Sequence, residues 1–362
     1  MHLFTDISSH GFGHLAISAP VLNALARLQP DLRLTVRTGL PLDFLKTRIQ
    51  APFTHLPEAT DFGFMMRDAT CVDLEASARA YQAAHADRPA RLAAEARLLD
   101  SLRPDLVLSN ISDLPLAGAA LAGIPSAALC SLNWADLFAH FFGHLAWAAP
   151  IHHDLLSAYQ SVRCFLRCTP AMAMPALPRQ CAIPPIAALG RRHPLPEPDS
   201  RYVLVAMGGI AHRLPIETWP RQPGLRWIVP AAWGCVHPDA ITQESLGLGF
   251  TDLLCSIDAV LTKPGYGTFT EAACHGTPVL YQRRADWPEQ DALIDWLHQH
   301  GRAYCVEEEA VRTGHLSDAL SALRAQTAPA RPIADGADIA ASMLLDLAHP
   351  GRSTVSPART PG

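Results

Sequence analysis

Two glycine turns and one strand end carry the residues whose types and spacing suit chemistry. The first turn is Ser8-Ser-His-Gly-Phe-Gly-His14, set between a short apolar strand and a helix. Gly11 and Gly13 permit a tight turn and let a ligand approach main-chain amides at a helix N-terminus. His14 then stands on the first helical turn, where a neutral imidazole can take a proton from a hydroxyl because its pKa lies near working pH. A plain turn with a capping histidine is the competing reading. The third glycine and later acidic residue of the dinucleotide fingerprint are missing. The second turn is Lys263-Pro-Gly-Tyr-Gly-Thr268, at the end of a strand over Ala259 to Leu261. Gly265 and Gly267 shape it, and a helix starting at Thr268 would offer free N–H groups and a positive dipole end to a diphosphate. Thr268 and Glu271 also spell a capping box. A cap alone accounts neither for the two glycines nor for Lys263, which with Lys46 is the chain's entire lysine complement among many arginines. That bias suits a compact charge at an anion. Asn110 and Asp113, at the end of the strand 104–109, could orient His14 and stabilise its protonated form. Ser112 or Asp113 could equally be a helix cap.

These groups need elements to hold them, and the sequence supplies an α/β alternation. Strand 2–7, turn 8–13 and a helix to Arg27 are followed by a strand at 32–38. A single long helix is expected over 73–103, then strands near 104–109 and 124–129 flanking a helix to Leu121. Such alternation implies a parallel, doubly wound sheet. Between Thr169 and Asp199 proline stands at positions 170, 175, 178, 184, 185, 194, 196 and 198, which reads as a linker free of helix and inner strand. A second α/β pattern starts near 200 with strand 202–207, the turn Gly208-Gly209, and strands at 225–229, 259–261 and 278–281. The expected organisation is an acceptor-side domain over 1–168, a linker over 169–199 and a donor-binding domain over 200–334. A closing helix over 335–348, packing back toward the first domain, and a disordered tail over 349–362 complete it. Two Rossmann-like domains would face one cleft, where open α/β sheets bind ligands.

The 362 residues suit two domains, and 49 % apolar residues can fill two cores. A net charge of −5 without a basic run argues against nucleic acid as a partner. The nine cysteines follow no metal-ligand or disulfide spacing, so neither a structural metal nor a disulfide framework is expected. The unpatterned thiols and an N-terminus unlike a leader suit a cytoplasmic protein. No apolar run is long enough for a span. Peripheral membrane contact stays open if an acceptor is lipid-linked.

Gly11-Phe-Gly-His-Leu15 with its amphipathic helix resembles the first loop of nucleotide-sugar glycosyltransferases built from two Rossmann-like domains, the GT-B fold. Asp258 to Gln290 resembles their donor-binding block. The likeness is strongest to the glycosyltransferase-like N-terminal region of plant L-arabinokinases. That region similarly combines a His-Gly-Phe-Gly-His turn, a Lys-x-Gly-Tyr-Gly-Thr loop and an Arg-Arg-Asp stretch. The resemblance extends from about residue 3 to residue 347, with no counterpart of the sugar-kinase domain expected, so arabinose phosphorylation is not implied.

The resemblance implies a nucleoside-diphosphate-sugar donor, an unidentified acceptor hydroxyl and inverting transfer, with no cofactor or metal. It makes His14 the general base, supported by Asn110 or Asp113. Gly265, Gly267 and Thr268 then bind the diphosphate, and Glu271 the ribose hydroxyls. Asp286, Glu289 and Gln290 fall where the transferred sugar is contacted. Beyond what the resemblance implies, Lys263 and Arg284 are expected to stabilise the departing charge, and Gly11, Gly13 and Gly209 to lie on the donor side. Asn110 departs from the acidic partner of many inverting members, and Lys263 with Arg283-Arg284 is unusual outside the arabinokinase-like group. Acceptor contacts are expected from residues 57–72 and from Trp134 to His153, a stretch that hints at a large or partly apolar acceptor. Two other functions fit: an epimerase drawing on His212, Asp286 and Glu289, and a nucleotide-sugar sensor or partner subunit that binds without turnover.

Overall fold

The structure, a computed structural model, describes residues 1–349. The tail expected from residue 349 lies, past His349, outside the described residues. Two parallel sheets organise the chain. The first takes β1 (His2–Ile7), β2 (Arg33–Arg37), β3 (Thr54–Leu56), β4 (Leu106–Asn110), β5 (Ser126–Cys130), β6 (Cys164–Cys168) and β7 (Gln180–Ile183), in the order β3-β2-β1-β4-β5-β6-β7. The second takes β8 (Arg201–Ala206), β9 (Leu225–Val229), β10 (Ala240–Thr242), β11 (Ala259–Thr262), β12 (Val279–Gln282) and β13 (Ala303–Val306), in the order β10-β9-β8-β11-β12-β13. All pairings within both sheets are parallel. Helices on both faces bury the central strands, which explains the unbroken apolar runs at β4, β5 and β11.

Each sheet reverses its winding once, between β1 and β4 in the first and between β8 and β11 in the second. A crevice opens at the carboxyl ends of the strands where the winding reverses. Those four ends lead into the first glycine turn, Asn110, Gly208-Gly209 and Lys263, so the fold puts the sequence's chemistry at its two crevices.

Several expectations change. The helix expected over 73–103 is two helices, Leu74–Ala86 and Arg88–Leu102, broken at Asp87. Pro89 at the start of the second helix fits a fresh N-terminus, where its missing N–H costs nothing. The proline-rich stretch is not all linker: Gln180–Ile183 adds β7 at the edge of the first sheet, in a gap between prolines. The C-terminal helix, Gly336–Ala348, packs on the first helix, Gly13–Leu28, and on β4 and β7, with Arg27 reaching Asp338 at 2.8 Å.

Candidate active site at the interdomain cleft

His14 sits in the first turn of the Gly13–Leu28 helix and is 6 % exposed. Its Nδ1 lies 2.8 Å from Asn110 Oδ1. The Asn110 amide nitrogen donates to Ser18 Oγ at 3.0 Å and to the His14 carbonyl at 3.3 Å, which fixes the oxygen toward the ring. That oxygen only accepts, so the proton resides on Nδ1 and Nε2 keeps the lone pair a base needs. Burial lowers the His14 pKa to about 4, opposed by the Asn110 hydrogen bond. The imidazole is therefore neutral across the physiological range.

Asp113, the other candidate partner, is not at His14. It forms an ion pair with Arg88 at 2.7 Å at the start of the Leu114–Leu121 helix, without a capping bond. A carboxylate one turn past the strand is drawn to the guanidinium above it. Of the two candidates, Asn110 is the one that meets His14.

On the second domain the helix after the turn begins at Tyr266, not at Thr268, with Gly265 as its N-cap and no side-chain cap. The capping box is thus not formed. Thr268 is half-buried on the first helical turn, and Glu271 turns away to a partner in the other domain. Arg48 Nη1 meets Glu271 Oε1 at 2.6 Å, with the carboxylate side chain 2 % exposed. Burial raises the Glu271 pKa, and the Arg48 charge and hydrogen bond oppose it. One oxygen of the carboxylate expected to bind ribose is thus engaged by Arg48.

Gly209 and Gly267 serve close approach. A Cβ on Gly209 would stand 2.6 Å from the Phe12 ring, and one on Gly267 would stand 2.7 Å from Ala16 Cβ. Both glycines let the second domain press onto the first turn and helix. Gly11 has φ +83°, a conformation costly for any side chain, whereas Gly13 is helical and meets nothing within 4 Å.

Lys263 lies beside Gly208 and Gly265, next to Arg284. Burial first, and the Arg284 charge second, lower its pKa to about 7, opposed by Glu289. Arg284 is 6 % exposed, and its guanidinium lies 3.6 Å from the Trp287 ring centroid. Its Nε and Nη2 are buried without a hydrogen-bond partner. Gln290 braces this arginine, accepting from its backbone N–H at 3.0 Å and donating to its carbonyl at 3.2 Å, so its amide is already occupied. Glu289 accepts from Ser131 of the first domain at 2.5 Å and from Trp287 Nε1 at 3.1 Å. Asp286 meets His140 across the cleft rim at 2.8 Å. His212 faces Asp68 at 3.6 Å, so the groups named for epimerisation are engaged in separate contacts. Two cations, one with orphaned N–H groups, therefore stand at the N-terminus of the Tyr266–His275 helix. An anion there would be hydrogen-bonded by groups that otherwise lack partners.

Three residues not given individual roles from sequence complete the cleft. His10 stacks on Trp287 at 5.8 Å with the rings 6° apart, and Trp134 packs edge-on against both His10 and His14. Asp61 accepts from Trp134 Nε1 at 2.6 Å and from Ser8 Oγ at 2.9 Å. The position of His10 inside the first turn is the signal that could have found it. Asp61 lies in an aperiodic loop and Trp134 opens the helix Trp134–Phe142, and neither setting marks the other as its partner.

No protein-family model matches the sequence. An L-arabinokinase of Arabidopsis thaliana is 27 % identical over 314 residues, 80 % of this chain but 29 % of that protein, so the chain spans under a third of it. Among solved structures, the glycosyltransferase of kitacinnamycin aligns with TM-score 0.60 and 15 % identity over 96 % of this chain and 98 % of its own. A calicheamicin glycosyltransferase aligns with TM-score 0.59 and 18 % identity over 97 % of this chain and 96 % of its own. The chain has the GT-B fold. A third GT-B structure, a spinosyn rhamnosyltransferase complexed with thymidine diphosphate, aligns with TM-score 0.55 and 16 % identity over 96 % of each chain. Among the described residues no helix is long and apolar enough to cross a membrane, and no group of three or more His, Cys, Asp or Glu is placed to hold a metal ion.

Proposed function

We propose that this GT-B protein transfers a sugar from a nucleoside diphosphate to an acceptor hydroxyl, with inversion at the anomeric carbon. The observation that carries the reading is the pair of orphaned, buried N–H groups on Arg284, beside Lys263 and the Tyr266 helix N-terminus, across the cleft from the neutral, oriented His14. One side of the cleft suits a departing diphosphate, the other a hydroxyl losing its proton. His14 Nε2 takes the acceptor proton while the acceptor oxygen bonds to the anomeric carbon. The bond from that carbon to the diphosphate oxygen breaks, and Lys263, Arg284 and the helix end receive the negative charge. The donor brings its own leaving group, so the reading needs no cofactor. The neighbour that binds thymidine diphosphate and the L-arabinokinase likeness support a nucleotide donor.

Thermal unfolding with nucleoside diphosphates and their sugars tests donor binding, because a ligand of the folded state alone raises the melting temperature. Release of nucleoside diphosphate then tests turnover. The reading fails if no nucleoside diphosphate or its sugar raises the melting temperature, or if His14→Ala retains full turnover of a donor that binds. The second reading, a binding protein without turnover, is favoured by Asn110, which brings no charge to stabilise an imidazolium. It predicts a thermal shift with the donor and no release of diphosphate.

A further inference from the structure

The nine cysteines are free thiols, and two of them meet at the edge of the first sheet, far from the cleft in sequence and in role. β6 and β7 are parallel neighbours, with Phe165 opposite Gln180 and Leu166 opposite Cys181. Side chains alternate along a strand, so Cys164, two residues before Leu166, shares a face of the sheet with Cys181. The Cys164 thiol donates to Cys181 Sγ at 2.7 Å. Among the described residues no other two cysteines are hydrogen-bonded to each other. The two sulfurs differ in access. Cys164 is 5 % exposed, whereas Cys181 is half-buried on β7, the edge strand, which pairs on one side only. Burial first, and then the hydrogen bond to Cys181, push the Cys164 thiol up to about 12, so it keeps its proton at neutral pH.

We propose that Cys164 and Cys181 are a thiol–disulfide redox site, oxidised by a small disulfide of the glutathione class into a bond that ties β7 to β6. Cys181 is the sulfur an outside reagent reaches, and Cys164 is the resolving thiol. As a thiolate, Cys181 attacks one sulfur of the small disulfide. That S–S bond breaks, the first small thiolate leaves and takes up a proton, and Cys181 carries the other half as a mixed disulfide. Cys164 Sγ then attacks the Cys181 sulfur, and its proton passes to the second small thiol as that leaves. Two protein thiols are oxidised, and one small disulfide is reduced to two thiols. The high pKa of Cys164 slows its attack on outside reagents, but attack on a sulfur already in contact is intramolecular. The bond closes onto the one strand of this pair that has freedom to shift, because β7 has no neighbour on its outer side. The pair also supports the junction to the second domain. Past β6 the Thr169 carbonyl accepts from the Tyr266 hydroxyl at 3.0 Å, and past β7 the Ile186 N–H donates to the same hydroxyl at 3.0 Å. Both strands therefore lead to the first residue of the Tyr266–His275 helix, and the disulfide would fasten them together at their other ends.

Oxidised glutathione, added to the reduced full-length chain well below its melting temperature, tests this. Remaining thiols are blocked with iodoacetamide, and the peptides are mapped by mass spectrometry without reduction. The expected result is the loss of two thiols, with the peptides of Cys164 and Cys181 joined to each other and separated again by dithiothreitol. Cys164→Ser should stop at the mixed disulfide, with glutathione retained on Cys181. Cys181→Ser should leave Cys164 unmodified. The oxidised wild type should melt at a higher temperature than the reduced one, because the cross-link constrains the unfolded chain. The wild-type map decides even if a variant fails to fold. Glutathione that stays on Cys181 in the wild type, a link between other cysteines, or a Cys164–Cys181 link that forms only in urea overturns the proposal. The test involves no nucleotide, so its outcome is independent of the transferase reading.

Discussion

The two crevices of this molecule are built on the same plan and charged in opposite ways. At the first, burial and the neighbouring Asp6 raise the Asp61 carboxyl to about 7. At the second, burial and the neighbouring Arg284 lower the Lys263 ammonium to about 7. In each case a like charge adds to desolvation, so each group is held near the pH at which it loses its charge. The relief each would accept differs. Lys263 and Arg284 are relieved by an anion, and Asp61 by hydroxyl donors. A shared fold thus supplies two crevices, and a few side chains decide which sign of charge each holds near neutrality.

The comparison breaks most sharply at His14, the group through which the first crevice would act on the second. His14→Ala is expected to lower sugar transfer by about 10²–10⁴-fold, the usual contribution of a general base. Donor-induced thermal shifts should be retained. Equal loss of both would make His14 a structural residue. Next comes Arg284→Ala, which removes two unpaired donors from the anion side. Nucleoside diphosphate affinity should fall by about 10–100-fold, as for hydrogen bonds to a charged group. Titration calorimetry with thymidine diphosphate measures it, and an unchanged affinity would move the diphosphate elsewhere.

What the sequence discloses follows the same division. Strand, glycine turn and helix are local patterns, so His14, Lys263 and the parallel alternation are legible. The break at Asp87 is hidden because an Ala/Arg/Glu/Leu stretch keeps helical periodicity across it, and only Pro89 marks the new start. The short strands β10 and β13 lack long apolar runs and leave no comparable signal. The cross-domain pairs are hidden for a different reason. Arg48 with Glu271 and Ser131 with Glu289 lie 223 and 158 residues apart, and spacing carries no information on how two domains dock. That is also why Glu271 reads as a helix cap, with no sign of its ion pair.

Lys263 sharpens the comparison through pH. Its pKa is lowered, so in the free protein it is charged below about 7 and neutral above. Donor kcat/KM should therefore decline by about tenfold per pH unit above that point, since this parameter reports the free enzyme. The acid side should stay flat until pH approaches the His14 value of about 4, because the base is competent above it. Lys263→Arg keeps its charge and should remove the alkaline decline. A decline that survives this substitution would assign the titration to another group.

The smallest effect is expected from Asn110→Asp, and it bears most directly on whether the first crevice is catalytic. Asn110 already sets the tautomer, leaving Nε2 free to accept. A carboxylate in its place would add charge beside a buried imidazole and raise the His14 pKa by about 1–2 units. The acid limb of kcat/KM should move up by that amount. Turnover at neutral pH should rise only severalfold, because an oriented neutral histidine still accepts the proton and lacks only stabilisation of the imidazolium. A chain that releases no diphosphate until the carboxylate is supplied would instead be a donor-binding protein whose base lacks its charge partner. The size of the gain, measured with one donor under identical conditions, separates an enzyme using an unusual dyad from a sensor that has kept the fold.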